Sequence, residues 1–309
     1  MVAVLHSGAE TLGRWHGELE LELGTLGIEG RALAGRTVIT ARRHRGPFCI
    51  QRPFYPEGPV CHLYLLHPPG GLATGDSLAL AARLDPGAHA LLTTPAATKV
   101  YRAATPGLDR SGLGAAAAAP HDGAPLAAIR QTLDAAERAV LEWLPLETIV
   151  FGGSRAEIVT DVRLDPDARF LGWEITALGR PASGDRYESG ALEQRTRIAV
   201  GDRLLLDERL RLAAGTRLLD APWGLDGFPV CGALYAYPAS RDTLERARAT
   251  LEPPSAAATV AATLLGPLLV VRGLARDVER ARAALESAWA AIRPDIAGRP
   301  ACVPRVWLT

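Results

Sequence analysis

The sequence lacks the short motifs that identify the common nucleotide and hydrolase sites. It contains no GxxxxGKS or GxxxxGKT phosphate loop, no HExxH pair and no GxSxG nucleophile turn. Its four cysteines are far apart and include no CxxC pair. We therefore predict reduced thiols in a cytoplasmic protein rather than a disulfide framework.

The sequence also lacks a charge imbalance and a long apolar run. Its 34 basic and 34 acidic residues cancel, so no net field favours nucleic acid or an anionic membrane surface as a partner. Residues 1–10 have neither a basic start nor a long apolar stretch, which argues against a signal peptide. The most apolar stretch, 259–271, is too short for a membrane span and contains Gly266-Pro267. We expect no membrane partner.

A strand–turn–strand unit occurs three times, at residues 84–92, 133–141 and 164–173. Each copy is an apolar strand end, a tight turn that begins with Asp, and a new apolar strand. The Asp side chain can bond the backbone of its own turn. Three copies of such a unit predict β layers that stack on one another.

The middle copy contains a conflict, because 127–144 is rich in Ala, Arg, Leu and Glu and its propensity favours a helix. Its neighbours in the repeat are strands, so we predict two strands here as well. Residues 105–125 are low-complexity Gly, Ala and Pro, which indicates a surface insertion in the repeat.

The pattern changes after residue 221. Helical spacing predicts helices at 242–251 and 276–292, and apolar runs predict strands at 228–237, 259–265 and 268–271. We predict a mainly-β protein: a body of stacked β layers at 1–221, and a C-terminal β-α-β-β-α portion at 222–309 with about two helices.

The segment 51–76 concentrates residues that can bind metals between turns rich in Gly and Pro. On a regular strand Cys61 and His67 lie roughly 20 Å apart, and His62 points to the other face. A closed zinc site is therefore excluded, while transient metal contact is compatible with the spacing. Taken singly, Cys61, His62 and His67 are more often packed core residues.

Five carboxylates lie in or beside apolar strands, those of Asp76, Glu142, Glu147, Glu174 and Glu208. A carboxylate in such a place is costly unless it is paired or faces water. One alternative is ion pairing, of Glu208 with Arg209 or Arg203 and of Asp76 with Arg52. The other is a polar interior passage for a cation.

Several long motifs resemble the family of the urease accessory protein UreD, also called UreH. They follow the order of the family from about residue 46 to residue 309. They are QRPFYPEG, CHLYLLHPPGG followed by GD, TPAATK-x-YR, LEWLP-x-E, LGWE-x-x-x-LGRPASG, DERL and PRVWLT.

This resemblance implies a maturation chaperone rather than an enzyme, with a mostly-β, helix-like stack of strands. Its implied partners are apo-urease, the accessory protein UreF and the GTPase UreG, in a hetero-oligomer that delivers nickel to urease. No tightly bound cofactor is implied, only transient nickel in an internal passage. The candidate passage residues are Asp76, Glu174 and Glu208, with Cys61, His62 and His67 as secondary nickel contacts. The alternative function is a metal-dependent hydrolase that uses His62, His67 and Asp76.

Overall fold

The computed structural model describes residues 14–26, 35–102 and 126–308. The predicted insertion at 105–125 lies outside these residues. The described chain is mainly β, as predicted, with two sheets and three α-helices, one of them a single turn. The strands are β1 (His16–Leu26), β2 (Arg36–Arg45), β3 (Cys49–Ile50), β4 (Cys61–Leu66), β5 (Ser77–Leu84), β6 (His89–Thr93), β7 (Thr98–Val100), β8 (Ala127–Ala135), β9 (Val140–Trp143), β10 (Thr148–Val150), β11 (Arg155–Leu164), β12 (Arg169–Leu178), β13 (Ala191–Val200), β14 (Arg203–Ala213), β15 (Val230–Tyr237), β16 (Ala258–Leu265) and β17 (Leu268–Ala275). The helices are α1 (Arg217–Asp220), α2 (Arg241–Ala249) and α3 (Val278–Ala297), and 3-10 turns lie at Pro181–Ser183 and Arg305–Leu308. None of the helices in the described ranges is both long and apolar enough to cross a membrane.

The first sheet has seven strands in the order β14-β13-β11-β8-β5-β1-β2. Its five central strands run parallel, and β2 and β14 pair antiparallel at its edges. Leucines and glutamates alternate in β1, where Leu19, Leu21 and Leu23 are buried and the glutamates between them are exposed. This alternation turns one face of the sheet toward the interior.

The second sheet has ten strands, eight of them in the order β16-β17-β15-β12-β9-β6-β4-β3. The strands from β4 to β12 are parallel, and those from β12 through β15 and β17 to β16 are antiparallel. The short strands β7 and β10 add a further parallel ladder beside β12.

The chain crosses from the first sheet to the second at each copy of the repeat, from β5 to β6, from β8 to β9 and from β11 to β12. The three copies then pair in parallel within both sheets, which confirms the predicted stacked layers. In the third copy the Asp165 carboxylate accepts a hydrogen bond from the N–H of Asp167, 3.0 Å away. In the middle copy the Asp134 carboxylate instead faces Arg83 and Arg163.

The conflict in the middle copy is settled in favour of strands, β8 and β9. Ala127, Ile129, Leu133 and Ala135 alternate with less buried residues, so β8 presents one apolar face to the interior. Pairing on both sides, with β5 and β11, outweighs the local helix propensity of this segment.

Two apolar layers stabilise the molecule. One fills the space between the two sheets, and the other lies between the second sheet and α2 and α3. In the outer layer Trp173 of β12 packs against Trp289 of α3 and Trp307, with ring centroids 6.2 and 5.2 Å away. The second sheet continues through β15, which lies beyond residue 222 and pairs with β12. The division into two portions at residue 221 stays a prediction.

Candidate functional site: a polar row between the sheets

Glu174 lies on the inward face of β12, where a row of polar side chains interrupts the apolar interior. Its Oε2 atom accepts hydrogen bonds from the Gln194 amide at 2.9 Å and from the Thr196 hydroxyl at 2.8 Å. Its Oε1 atom accepts one from the Thr160 hydroxyl. These donors are at inward positions of β13 and β11. The alternation of the strands therefore aims them all at one carboxylate.

Two cavities meet at this carboxylate. The first has a volume of about 320 Å³ and the second about 380 Å³, and both are lined by Glu174 and Gln194. The wall of the first is mostly apolar, and His67 and Lys99 also line it. Trp143 lines it as well, and its buried indole N–H has no hydrogen-bond partner among the described residues. A donor left in this way needs an acceptor that the cavity itself can hold, such as water.

Glu208 lies in the wall of the second cavity, on the edge strand β14. Its carboxylate pairs with Arg272 of β17, at 3.0 and 2.7 Å, and faces the Tyr235 hydroxyl at 3.5 Å. The predicted pairing with Arg209 or Arg203 is wrong. Arg209 points to the outer face of the sheet, where it pairs with Glu193.

Asp76 is buried, and its carboxylate binds backbone rather than another charge. Oδ1 accepts the N–H of Trp15 at 2.8 Å and Oδ2 accepts the N–H of Ala73 at 2.7 Å. The predicted pairing with Arg52 is therefore wrong. The carboxylate holds the chain before β1 against the turn before β5, an anchoring role that only the fold reveals.

The ligand types of the segment 51–76 are separated by the alternation of β4. Cys61 points into the apolar interior, and burial raises the pKa of its thiol to about 11. His62 is fully buried, and its Nε2 atom lies 2.7 Å from Glu57 Oε1. His67 is half-buried in the first cavity, where burial lowers its pKa.

No metal centre is assembled from these side chains. Within 14–26, 35–102 and 126–308, no three or more His, Cys, Asp or Glu residues come close enough to hold a metal ion. The hydrolase alternative needs His62, His67 and Asp76 around one ion, whereas His62 is engaged with Glu57 and Asp76 with backbone N–H groups. The described structure offers no support for that alternative.

A second polar cluster lies beneath α3, and the sequence reasoning did not assemble it. Arg293 is fully buried and bonds both Glu57, at 2.7 Å, and Glu142, at 2.8 Å. The His89 ring lies 2.8 Å from the Glu142 carboxylate. A signal was present: Glu142 lies among apolar residues in LEWLP, and Arg293 follows the apolar face of the predicted helix.

The polar row places one carboxylate, that of Glu174, in the walls of both cavities. Its carboxylate at Glu174 can be reached from both cavities and attracts cations. Its hydrogen bonds from Thr160, Gln194 and Thr196 leave few lone pairs for tight coordination.

Comparisons with known proteins agree with the motif resemblance. The family model described as UreD urease accessory protein matches residues 16–308. A relative from Alkalilimnicola ehrlichii, named urease accessory protein UreD, is 41% identical over 98% of this chain and 94% of its own length. Relatives with the same name from Pseudomonas putida strain W619 and Pseudomonas paraeruginosa are 41% and 43% identical, each over 96% of this chain and 95% of their own length.

Proposed function

The chain belongs to the UreD family of urease accessory proteins, and we propose that it carries out its part in urease maturation by passing nickel through its interior. In this proposal it binds apo-urease and recruits the accessory protein UreF and the GTPase UreG. It acts as a chaperone within that hetero-oligomer and catalyses no reaction of its own.

Glu174 is the main support for an interior route. It is reached from both cavities, so a cation in either one meets the same carboxylate. Nickel is the cargo, and it binds imidazole and carboxylate ligands. The described residues of the polar row include no cluster of three metal-binding side chains. Weak binding of this kind suits an ion that must also be released.

The candidate residues differ in how well they suit this route. Glu174 and Glu208 line cavities, and His67 lies in the first cavity. Cys61 and His62 are absent from the lining of both cavities, and Asp76 has its carboxylate oxygens bonded to backbone. We therefore assign the passage to Glu174, Glu208 and His67.

We place this role in the cytoplasm. All four cysteines are free thiols, which is the usual state in a reducing compartment.

The test is the nickel content and activity of urease matured with all other accessory proteins, with and without this chain. We expect nickel-poor, inactive urease without it. Glu174→Gln should lower nickel loading about tenfold, because it removes the charge at the point where the cavities meet. Fully loaded urease in the absence of the chain would contradict the maturation role.

Glu157→Gln is the matched control. Glu157 is also a strand glutamate, but it pairs with Arg130 rather than lining either cavity. Equal losses in the two variants would assign the effect to general destabilisation rather than to the route.

A further inference from the structure

An arginine occupies the second cavity together with the carboxylates that would attract a cation. The Arg272 guanidinium donates two parallel hydrogen bonds to Glu208, Nε to Oε1 at 3.0 Å and Nη2 to Oε2 at 2.7 Å. Arg272 is on the second sheet and Glu208 on the edge of the first. The pair therefore joins the two sheets across the cavity wall.

This pair neutralises Glu208 as a cation site. A carboxylate that holds a bidentate guanidinium presents little net charge to an approaching ion. With Arg272 in place, Glu174 is left as the cavity carboxylate without an arginine partner among the described residues. With Arg272 displaced, Glu208 and Glu174 would both face the same cavity.

The pair is also exposed enough to exchange. The side chain of Arg272 is 44% exposed and that of Glu208 33%. Water can replace the bonds of such a pair at modest cost, unlike those of a fully buried pair. Both residues line the cavity, so an incoming ion would reach them directly.

We propose that Arg272 is a displaceable counter-ion, which yields Glu208 to an entering divalent cation and drives that cation out when it returns. The proposal rests on the proposed passage of a divalent cation and names the residue that regulates it. It accounts for how a cavity with two carboxylates avoids holding its cargo permanently.

The experiment measures Ni²⁺ binding to the full-length chain by equilibrium dialysis. Wild type and all variants are prepared and purified in the same way. Arg272→Gln should bind Ni²⁺ about tenfold more tightly than wild type, because Glu208 is then free. The double variant Glu208→Gln/Arg272→Gln should return to wild-type affinity. Arg272→Lys keeps the charge without the paired bonds and should lie between wild type and Arg272→Gln.

Arg195→Gln is the control, because Arg195 forms the same two-bond pair with Asp207 on the outer face of the first sheet. It should leave Ni²⁺ affinity unchanged. Nickel affinity of Arg272→Gln equal to that of Arg195→Gln would overturn the proposal. If Arg272→Gln does not fold, Arg272→Lys decides, and wild-type affinity in that variant overturns it.

A second measurement separates this proposal from the proposed function. Urease loaded with the Arg272→Gln chain should receive less nickel than with the wild-type chain, because the cargo is retained. If urease receives its nickel when this protein is left out, the proposed maturation role is wrong. The Ni²⁺ binding measurement on the purified protein still decides the role of Arg272.

Discussion

Glu142 has no exposed surface, and its hydrogen-bond partners come from two distant parts of the chain, His89 in β6 and the α3 residues Trp289 and Arg293. Burial alone would raise its pKa, but hydrogen bonds from His89 and Arg293 together lower it to about 2, from an ordinary value of 4.5. Trp289 donates a further hydrogen bond to the same carboxylate at 3.2 Å. The ionised form is thus favoured in the folded state over the unfolded state.

This shift predicts how stability depends on pH. Because the pKa is lowered by folding, the carboxylate stabilises the protein above pH 4.5, and that contribution is lost as the pH falls through about 2. Glu142→Gln should therefore be less stable than wild type near pH 6, by up to about 3 kcal/mol. The difference should shrink between about pH 5 and pH 2 in urea unfolding followed at several pH values.

Glu137→Gln provides the comparison, since Glu137 is in the exposed turn before β9. Its stability should run parallel to that of wild type across the same pH range. A constant difference between Glu142→Gln and wild type from pH 6 to pH 2 would show that the charge of Glu142 is not what stabilises the fold.

At this scale the sequence identified the unusual residues but not their partners. A carboxylate in an apolar strand is costly, and this cost drew attention to Glu174 and Glu208. The partner of Glu208 is 64 residues away, on a strand whose place in the sheet no local pattern specifies. Sequence proximity predicted a partner among Arg203 and Arg209, but the fold brings Arg272 to Glu208 instead.

At the scale of elements, the Asp76 carboxylate fixes the positions at which β1 and β5 begin. It joins the backbone before β1 to the turn before β5, which are adjacent parallel strands. Both carboxylate oxygens accept hydrogen bonds from backbone N–H groups. An asparagine at this position would place its own NH₂ group against one of these N–H donors, so that one hydrogen bond would be lost.

Asp76→Asn should therefore lower the free energy of unfolding by about 1–3 kcal/mol and leave Ni²⁺ affinity unchanged. Urea unfolding and equilibrium dialysis measure the two quantities. Asp165→Asn is the matched control, because Asp165 is in an exposed turn where Asn can make the same bond to backbone. Lost nickel affinity at wild-type stability would instead assign Asp76 to the proposed passage.

The strands were largely predictable because their signals are local. The Asp turns and the alternation of apolar residues indicated the three layers, and the repeat correctly overruled helix propensity at β8. The predicted helices at 242–251 and 276–292 correspond to α2 and α3. The order of the strands within each sheet was beyond such signals, since it depends on contacts between copies far apart in the chain.

At the scale of the whole molecule, α3 is attached to the stacked layers by two different contacts. One is the packing of Trp289 against Trp173 and Trp307. The other is Arg293, which bonds Glu57 from before β4 and Glu142 from β9. Together with the pairing of β15 with β12, these contacts couple the predicted C-terminal portion to the predicted body.

We therefore expect the chain to unfold in one transition, with tryptophan fluorescence and far-ultraviolet circular dichroism changing at the same urea concentration. Arg293→Met should move both signals together, because it leaves two buried carboxylates without their cation, at a cost of about 3–5 kcal/mol. Arg280→Met, in the first turn of α3, removes only an exposed pair with Asp277 and should move neither appreciably.

The two signals report on different parts of the molecule. Three of the six tryptophans, Trp173, Trp289 and Trp307, lie where α3 meets the second sheet, while Trp143 is buried between the sheets and Trp15 and Trp223 are exposed. Fluorescence is therefore weighted toward the α3 interface, whereas circular dichroism is dominated by the strands of both sheets. If Arg293→Met shifts fluorescence alone, α3 detaches while the stack persists, and the two portions are separate folding units. A joint shift means that the buried Arg293 makes the stack and its covering helix a single unit, so that the residues lining the two cavities share the stability of the whole molecule.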